Sequence, residues 1–250
     1  MSRFLVFDST GKNADDFTIF FQPMLDIGRS NWEIALTELT YTYSMRNVDN
    51  VFGNTTFRYS HNSGVTWYTI TLPGGIYSIS DINNYLHSVM DTNGHSDLVD
   101  GVKVYELSLN VNFNTLRVIQ TVTGTFRFDF ATGNFFKLIG ATQGVISSTV
   151  EGPGSADINN GTTSFKLNCD IIDNSLFNGA ISQALTVFTP DTPPGFVNTF
   201  RPSTLIYMPI NRSIINSIRF SFTNQIGVPV SFYGEPVTIQ MHMKEIGKKQ

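Results

Sequence analysis

Apolar and polar residues alternate with a period of two along most of this chain. Phe126, Phe128 and Phe130 alternate with Arg127 and Asp129, and Leu107, Leu109, Val111 and Phe113 with Ser108, Asn110 and Asn112. Near the C-terminus, Ile218, Phe220 and Phe222 alternate with Arg219 and Ser221. There too, Val237, Ile239, Met241 and Met243 alternate with Thr238, Gln240 and His242. Successive side chains of a strand point to opposite faces, so this pattern sends one set into a core and the other to water or a neighbour. In the first half it predicts strands at Arg3–Phe7, Phe17–Phe21, Trp32–Tyr43, Phe57–Tyr59 and Trp67–Leu72, with Ser60–Gly64 as a hairpin loop. In the second half it predicts them at Val145–Val150, Ser164–Cys169, Ala184–Phe188, Thr204–Met208, Asn216–Phe222, Val228–Phe232 and Pro236–Met243.

One stretch changes period. Ile79, Ile82, Leu86, Val89 and Met90 recur at helical spacing and predict an amphipathic helix over Ser80–Met90. Ser78 and Asp81 have capping-box spacing, although Asp is the weaker partner, and Asn93-Gly94 offers a left-handed exit. A second short helix fits Asn134–Ile139, closed by Gly140. Between Phe188 and Thr204 the segment TPDTPPGFVNTFRPS holds four prolines, which predict an extended excursion outside any ladder.

About fourteen strands with so little helix indicate an all-β fold, a jelly-roll or Greek-key β-sandwich with one or two short helices. No polar linker interrupts the middle and each half is thin for an independent core, which favours a single elaborated jelly-roll domain over residues 1–250. The alternative is two small β-sandwiches, about 1–140 and 145–250, parted at Gly140–Gly144.

Composition sharpens this picture in one respect. Charged residues are only 14% of the chain, against roughly 25% in ordinary soluble domains. Asn, Ser and Thr take their place. A polar but weakly charged surface suits packing against other protein copies, where desolvating charge is costly. The net charge of −4 gives no general attraction to nucleic acid. The lone cysteine, Cys169, sits in a strand pattern and reads as an inert core thiol. The opening MSRFLVFDSTG has too short an apolar run for a signal peptide, and no run reaches a membrane span. Synthesis in the cytosol or in a nucleus-linked cycle, without secretion by a signal, is the expectation.

No catalytic constellation emerges. His61, His87, His95 and His242 lack the paired spacing of a zinc site. Glu33 and Glu38 lie five apart on a strand and so face opposite sides, Asp15-Asp16 are adjacent in a loop, and Glu106 and Glu235 are isolated. Glycoside hydrolysis needs two carboxylates at a fixed separation, and none are marked. The loop Ala156–Gly161 lacks the dense acidic spacing of a calcium site. Trp67-Tyr68 could stack a sugar but reads more simply as a sandwich corner. Sequons at Asn54, Asn160 and Asn211 read as chance matches in an Asn-rich chain. The expectation is a non-enzyme with no cofactor and no metal.

Four stretches carry a family resemblance: Trp32–Leu39 (WEIALTEL), Leu72–Leu86 (LPGGIYSISDINNYL), Phe135–Gly140 (FFKLIG), and the closing pair Leu205–Asn211 (LIYMPIN) with Gly234–Lys244 (GEPVTIQMHMK). Together they resemble capsid-type proteins of Polinton-like and adintovirus-like DNA elements. Ala141 departs from that pattern, where an aromatic is expected after Leu-Ile-Gly. The resemblance implies a jelly-roll virion protein, and the length fits the smaller, penton-like (minor) capsid member. It implies a homo-oligomer, a pentamer at icosahedral vertices, beside a major capsid protein, with no specific nucleic acid and no membrane span. Phe196, Phe200 and Arg201, in the proline-stiffened excursion Thr189–Ser203, are the candidate interface residues, because aromatics and Arg dominate interface hot spots. A lectin-like or receptor-binding β-sandwich module is the alternative, and an enzyme on a β-sandwich the third.

Overall fold

A computed structural model of the chain describes residues 1–28, 30–95, 98–99, 102–103, 105–110, 117–122, 124–158, 162–172, 175–177, 179–193 and 195–248. Its elements begin with β1 (Ser2–Asp8), β2 (Asp16–Asp26) and β3 (Ser30–Thr42). There follow β4 (Thr56–Ser60), β5 (Tyr68–Thr71), helix α1 (Ile79–Thr92), β6 (Leu98–Val99), β7 (Val102–Lys103), β8 (Tyr105–Asn110) and β9 (Arg117–Val122). Next come β10 (Arg127–Asp129), helix α2 (Phe135–Leu138), β11 (Val145–Ile146) and β12 (Val150–Glu151). The chain continues with β13 (Phe165–Cys169), β14 (Ser175–Phe177), β15 (Ala180–Ser182), β16 (Ala184–Phe188) and β17 (Val197–Phe200). It closes with β18 (Met208–Pro209), β19 (Ile214–Asn224) and β20 (Val237–Lys248).

These elements form two compact units, one of residues 1–45 and 162–250, the other of residues 46–161. The second unit occupies the connection from β3 to β13. The divisions fall at 45/46 and 161/162.

The first unit is a jelly roll. One sheet has the order β1-β20-β3-β17, with β18 also on β3, and the other has the order β16-β13-β19-β2. Every pairing in them is antiparallel. The N-terminal strand lies along the C-terminal one, from Ser2↔Lys244 to Asp8↔Thr238. Alternation does what the pattern predicts: Ile215, Ile218, Phe220 and Phe222 of β19 are buried, while Asn216 and Arg219 are exposed. Val237, Ile239, Met241 and Met243 of β20 are fully buried. Rings span the two sheets, with Phe7 5.1 Å from Phe220 and Tyr41 5.2 Å from Phe188.

The second unit has a sheet β11-β10-β4-β5, a three-stranded sheet β12-β9-β8, and its own core. Phe57 stacks on Phe135 at 4.4 Å and lies 5.6 Å from Phe130. Helix α1 buries Ile79, Ile82, Leu86 and Met90 in this core, with Val89 partly buried beside them. Asp81 makes a full capping box with Ser78, and the helix leaves through Asn93 and Gly94, whose φ is +72°. Only glycine fits at position 140: φ is +64°, and a Cβ there would come within 2.5 Å of the Gly154 carbonyl oxygen. Ala141, the departure from the family pattern, is buried in the same core.

Several boundaries differ from the sequence reading. The segment 204–208 enters a ladder only at Met208–Pro209, and Val145–Val150 yields two short strands. Val228–Phe232 forms no strand: Asn224 turns the chain back through its side chain, and the ladder stops at one bridge, Thr223↔Pro229, because the N–H groups of Phe222 and Phe232 that would extend it donate to Asp15. The strand expected to run on to Phe113 is described only as far as Asn110, and 111–116 lie outside the described residues. The excursion Thr189–Ser203 is not ladder-free. Val197–Phe200 pairs with β3 from Val197↔Thr42 to Phe200↔Leu39, which is possible because the prolines flank this run and leave its N–H groups intact.

Candidate functional surface

The edges of the jelly roll decide what it can offer a partner. One flank carries β1 and β2, whose contact is marked by Phe7 and Phe21 at 6.1 Å. The other carries β16 and β17, marked by Phe188 and Phe200 at 5.9 Å. Edge strands leave backbone groups unpaired and are natural attachment points.

On the β16–β17 flank the three candidate interface residues have different situations. Phe200 points inward onto Phe188 and packs on its own core. Phe196 is 63% exposed, and so is its neighbour Val197, at 61%. Arg201 pairs with Glu38 at 2.6 Å, and Glu38 also accepts from Gln240 at 3.0 Å. Hydrogen bonds tie the described part of the segment to its surroundings. Tyr43 and residues 195–196 exchange backbone hydrogen bonds of 2.9 and 2.8 Å. The buried Asn198 side chain accepts from the Asp191 N–H at 3.0 Å and donates to Thr192. Beneath it, burial raises the Tyr41 phenol well above its ordinary range, with Asp191 adding to the effect. On the opposite flank, β1 exposes Phe4 and Val6, and β2 exposes Phe20 and Met24. Sequence reasoning missed this second apolar set, because an exposed Phe on an edge strand and a buried one share the same alternation.

Chemistry-bearing residues are mostly tied up structurally. Cys169 is fully buried in the jelly-roll core, and burial pushes its thiol up to about 12. Glu33 pairs with Lys244 at 3.8 Å, and Asp16 with Arg219, whose hydrogen bonds hold the Asp16 carboxyl below its ordinary value. Trp67 has Arg58 over its ring at 5.4 Å, while Tyr68 stacks on Tyr59. Asn54 is buried and bonded to Asn47 and Asp49, so that sequon is closed to modification. Asn211 lies exposed, and Asn160 is outside the described residues. Among the described residues no three His, Cys, Asp or Glu side chains gather as a metal site. Nor is any described helix long and apolar enough to cross a membrane.

Two histidines, however, come together. His61, after β4, stacks on His95, beyond α1, with ring centroids 3.9 Å apart. Tyr59 and Tyr68 pack around them, Tyr68 lying 4.6 Å from His95. The four histidines looked isolated in the sequence, and no spacing signal links these two.

No family model and no curated protein matches this sequence. Among solved structures, the chain is similar in fold to the mavirus penton protein, with 10% identity and a TM-score of 0.51, covering 98% of this chain and 100% of that one. A chain of the Sputnik virophage structure aligns with 10% identity over 97% of this chain and 98% of its own, at a TM-score of 0.48.

Proposed function

We propose that the protein is a structural virion protein, a penton-like capsid subunit that acts by self-association. The observation that supports this most is the correspondence of its fold with the mavirus penton protein, over 98% of this chain and 100% of that one. In this reading the chain is one elaborated jelly roll whose β3–β13 connection carries the second unit. Fold alone does not fix function, so the surface must support the reading as well. It does so through two apolar edges on opposite flanks: Phe196 and Val197 on one, and Phe4, Val6, Phe20 and Met24 on the other.

A contact between unlike flanks is heterologous, and repeated by rotation it closes into a ring. Phe196 inserts into the neighbouring subunit, Arg201 lies at the rim, and Phe200 stiffens the segment from beneath. Within Thr189–Ser203 the run 195–200 is already paired with Tyr43 and β3, which lowers the entropic cost of association. The ring is a pentamer at an icosahedral vertex, bordered by a major capsid protein, with no specific nucleic-acid contact. Electron microscopy of the concentrated protein, alone and assembled into particles, tests this. Rings whose subunits meet through Thr189–Ser203, weakened by Phe196→Ala, are expected. Rings in which that segment faces solvent, or assembly indifferent to Phe196→Ala, would overturn the interface.

A further inference from the structure

The stacked histidines of the second unit take no part in the proposed ring contact, and any role for them is independent of it. The hydrogen bonds around the stack define its protonation. Asn93 donates its Nδ2 hydrogen to the Tyr59 oxygen at 2.9 Å, and Tyr59 lies 2.8 Å from His95 Nδ1. With one lone pair of the phenol oxygen taken by Asn93, its hydrogen is available to Nδ1, the arrangement that suits a neutral His95 carrying its proton on Nε2. A second proton on Nδ1 would turn the phenol hydrogen away from the ring and cost it this acceptor. Across the stack, His61 Nδ1 is shut off from solvent and has no hydrogen-bond partner among the described residues. Two imidazolium rings at 3.9 Å would also repel each other.

The loop side of this contact is anchored independently. The Thr125 hydroxyl donates to the His61 carbonyl, and the Ser63 N–H donates to the Thr125 carbonyl at 2.8 Å. The exit of α1, by contrast, meets the hairpin through Asn93, His95 and the Tyr59 hydroxyl. We propose that the His61–His95 stack is an acid-sensitive latch that holds the exit of α1 (Asn93–His95) on the β4–β5 hairpin and releases it on protonation.

Other titratable groups do not contradict this. Tyr59, whose phenol pKa burial raises, and Tyr68 face the stack. Arg58 lies on the opposite face of β4, bound to Asp129, and Arg127 is turned to the carbonyls of Gly124 and Phe126. Asp91, on the last turn of α1, is exposed. Burial, and then the nearness of His61, lower the His95 pKa from its ordinary 6.5. The folded state thus binds the proton less readily than the unfolded one, so the latch contributes fully above pH 6.5 and is lost as pH falls below that value.

Amide hydrogen exchange of the whole chain at about pH 7.5 and about pH 5, corrected for intrinsic rates, tests the latch. Acidification is expected to speed exchange at Asn93–His95 severalfold, while Ser63 stays protected by Thr125. His95→Phe keeps a stacking ring without the titrating imidazole and should remove most of that acid response. Equal acceleration in His95→Phe, or none in the wild type, would overturn the proposal. Should the variant not fold, the imidazole carbon-proton resonances of the wild type serve instead. His95 titrating below an exposed histidine, in step with the loss of protection, is expected. A titration like that of an exposed histidine, with the amides unmoved, would refute the latch.

Discussion

Replacing Leu86 with Ala strikes the centre of the second unit. Leu86 is fully buried on the apolar face of α1, in one cluster with Ile79, Ile82, Met90 and the rings of Phe57, Phe130 and Phe135. The truncation removes about three carbon groups, each worth about 0.8 kcal/mol on burial, or about 2.4 kcal/mol of transfer free energy. A cavity term adds to this, because rings stacked at 4.4 Å cannot collapse far into the gap. The expected loss is about 2–5 kcal/mol. Each unit contains one of the two tryptophans, Trp32 in the first and Trp67 in the second. Fluorotryptophan resonances followed through a urea titration therefore report on the units separately. The Trp67 transition should move to lower urea in Leu86→Ala and hardly at all in the surface control Asn84→Ala. A loss under about 1 kcal/mol, or one equal to the control, would refute the packing argument.

Three other side chains give outcomes of their own. Gln120 is fully buried with neither amide atom bonded among the described residues, so Gln120→Met should raise stability by about 1 kcal/mol. A loss of similar size in chemical denaturation would show that the amide has a partner. Phe200→Ala should destabilise the first unit by about 1–3 kcal/mol, and Phe196→Ala by no more than about 0.5 kcal/mol, since only the former packs on Phe188. The reverse order of melting temperatures would contradict the placement of the two rings. Cys169, with its thiol raised to about 12, should resist iodoacetamide at about pH 8 until the protein is unfolded, as read by mass spectrometry. Rapid labelling of the native state would place the thiol elsewhere than the core.

Much of the fold was legible because local pattern and tertiary demand agreed. The alternation in β19 and β20 named the buried residues correctly, and the Ser78–Asp81 box with Asn93-Gly94 bracketed α1. What the sequence does not carry is partnership. Nothing in Arg3–Phe7 says that it pairs with Pro236–Met243, and that pairing closes the first unit. Val228–Phe232 has strand composition, but the Asn224 side chain takes the Val228 N–H for a turn, and Asp15 takes the N–H groups of Phe222 and Phe232. The candidate surface was half legible. Aromatics in a proline-bounded excursion drew attention to Phe196, whereas their division into an exposed Phe196 and an inward Phe200 depends on the register with β3. The His61–His95 stack arises from a hairpin loop and a helix exit that only the folded second unit brings together.

Whether this jelly roll builds a ring from unlike flanks is decided by the mass of the purified protein at high concentration. Sedimentation velocity supplies that mass, and electron-microscopic class averages of the same sample supply the symmetry. A closed pentameric ring is expected, and its stability should change little with salt, since so few charges meet at the proposed contact. A strict monomer at high concentration that also fails to enter particles with a major capsid protein, or a twofold dimer joined through like flanks, would contradict it.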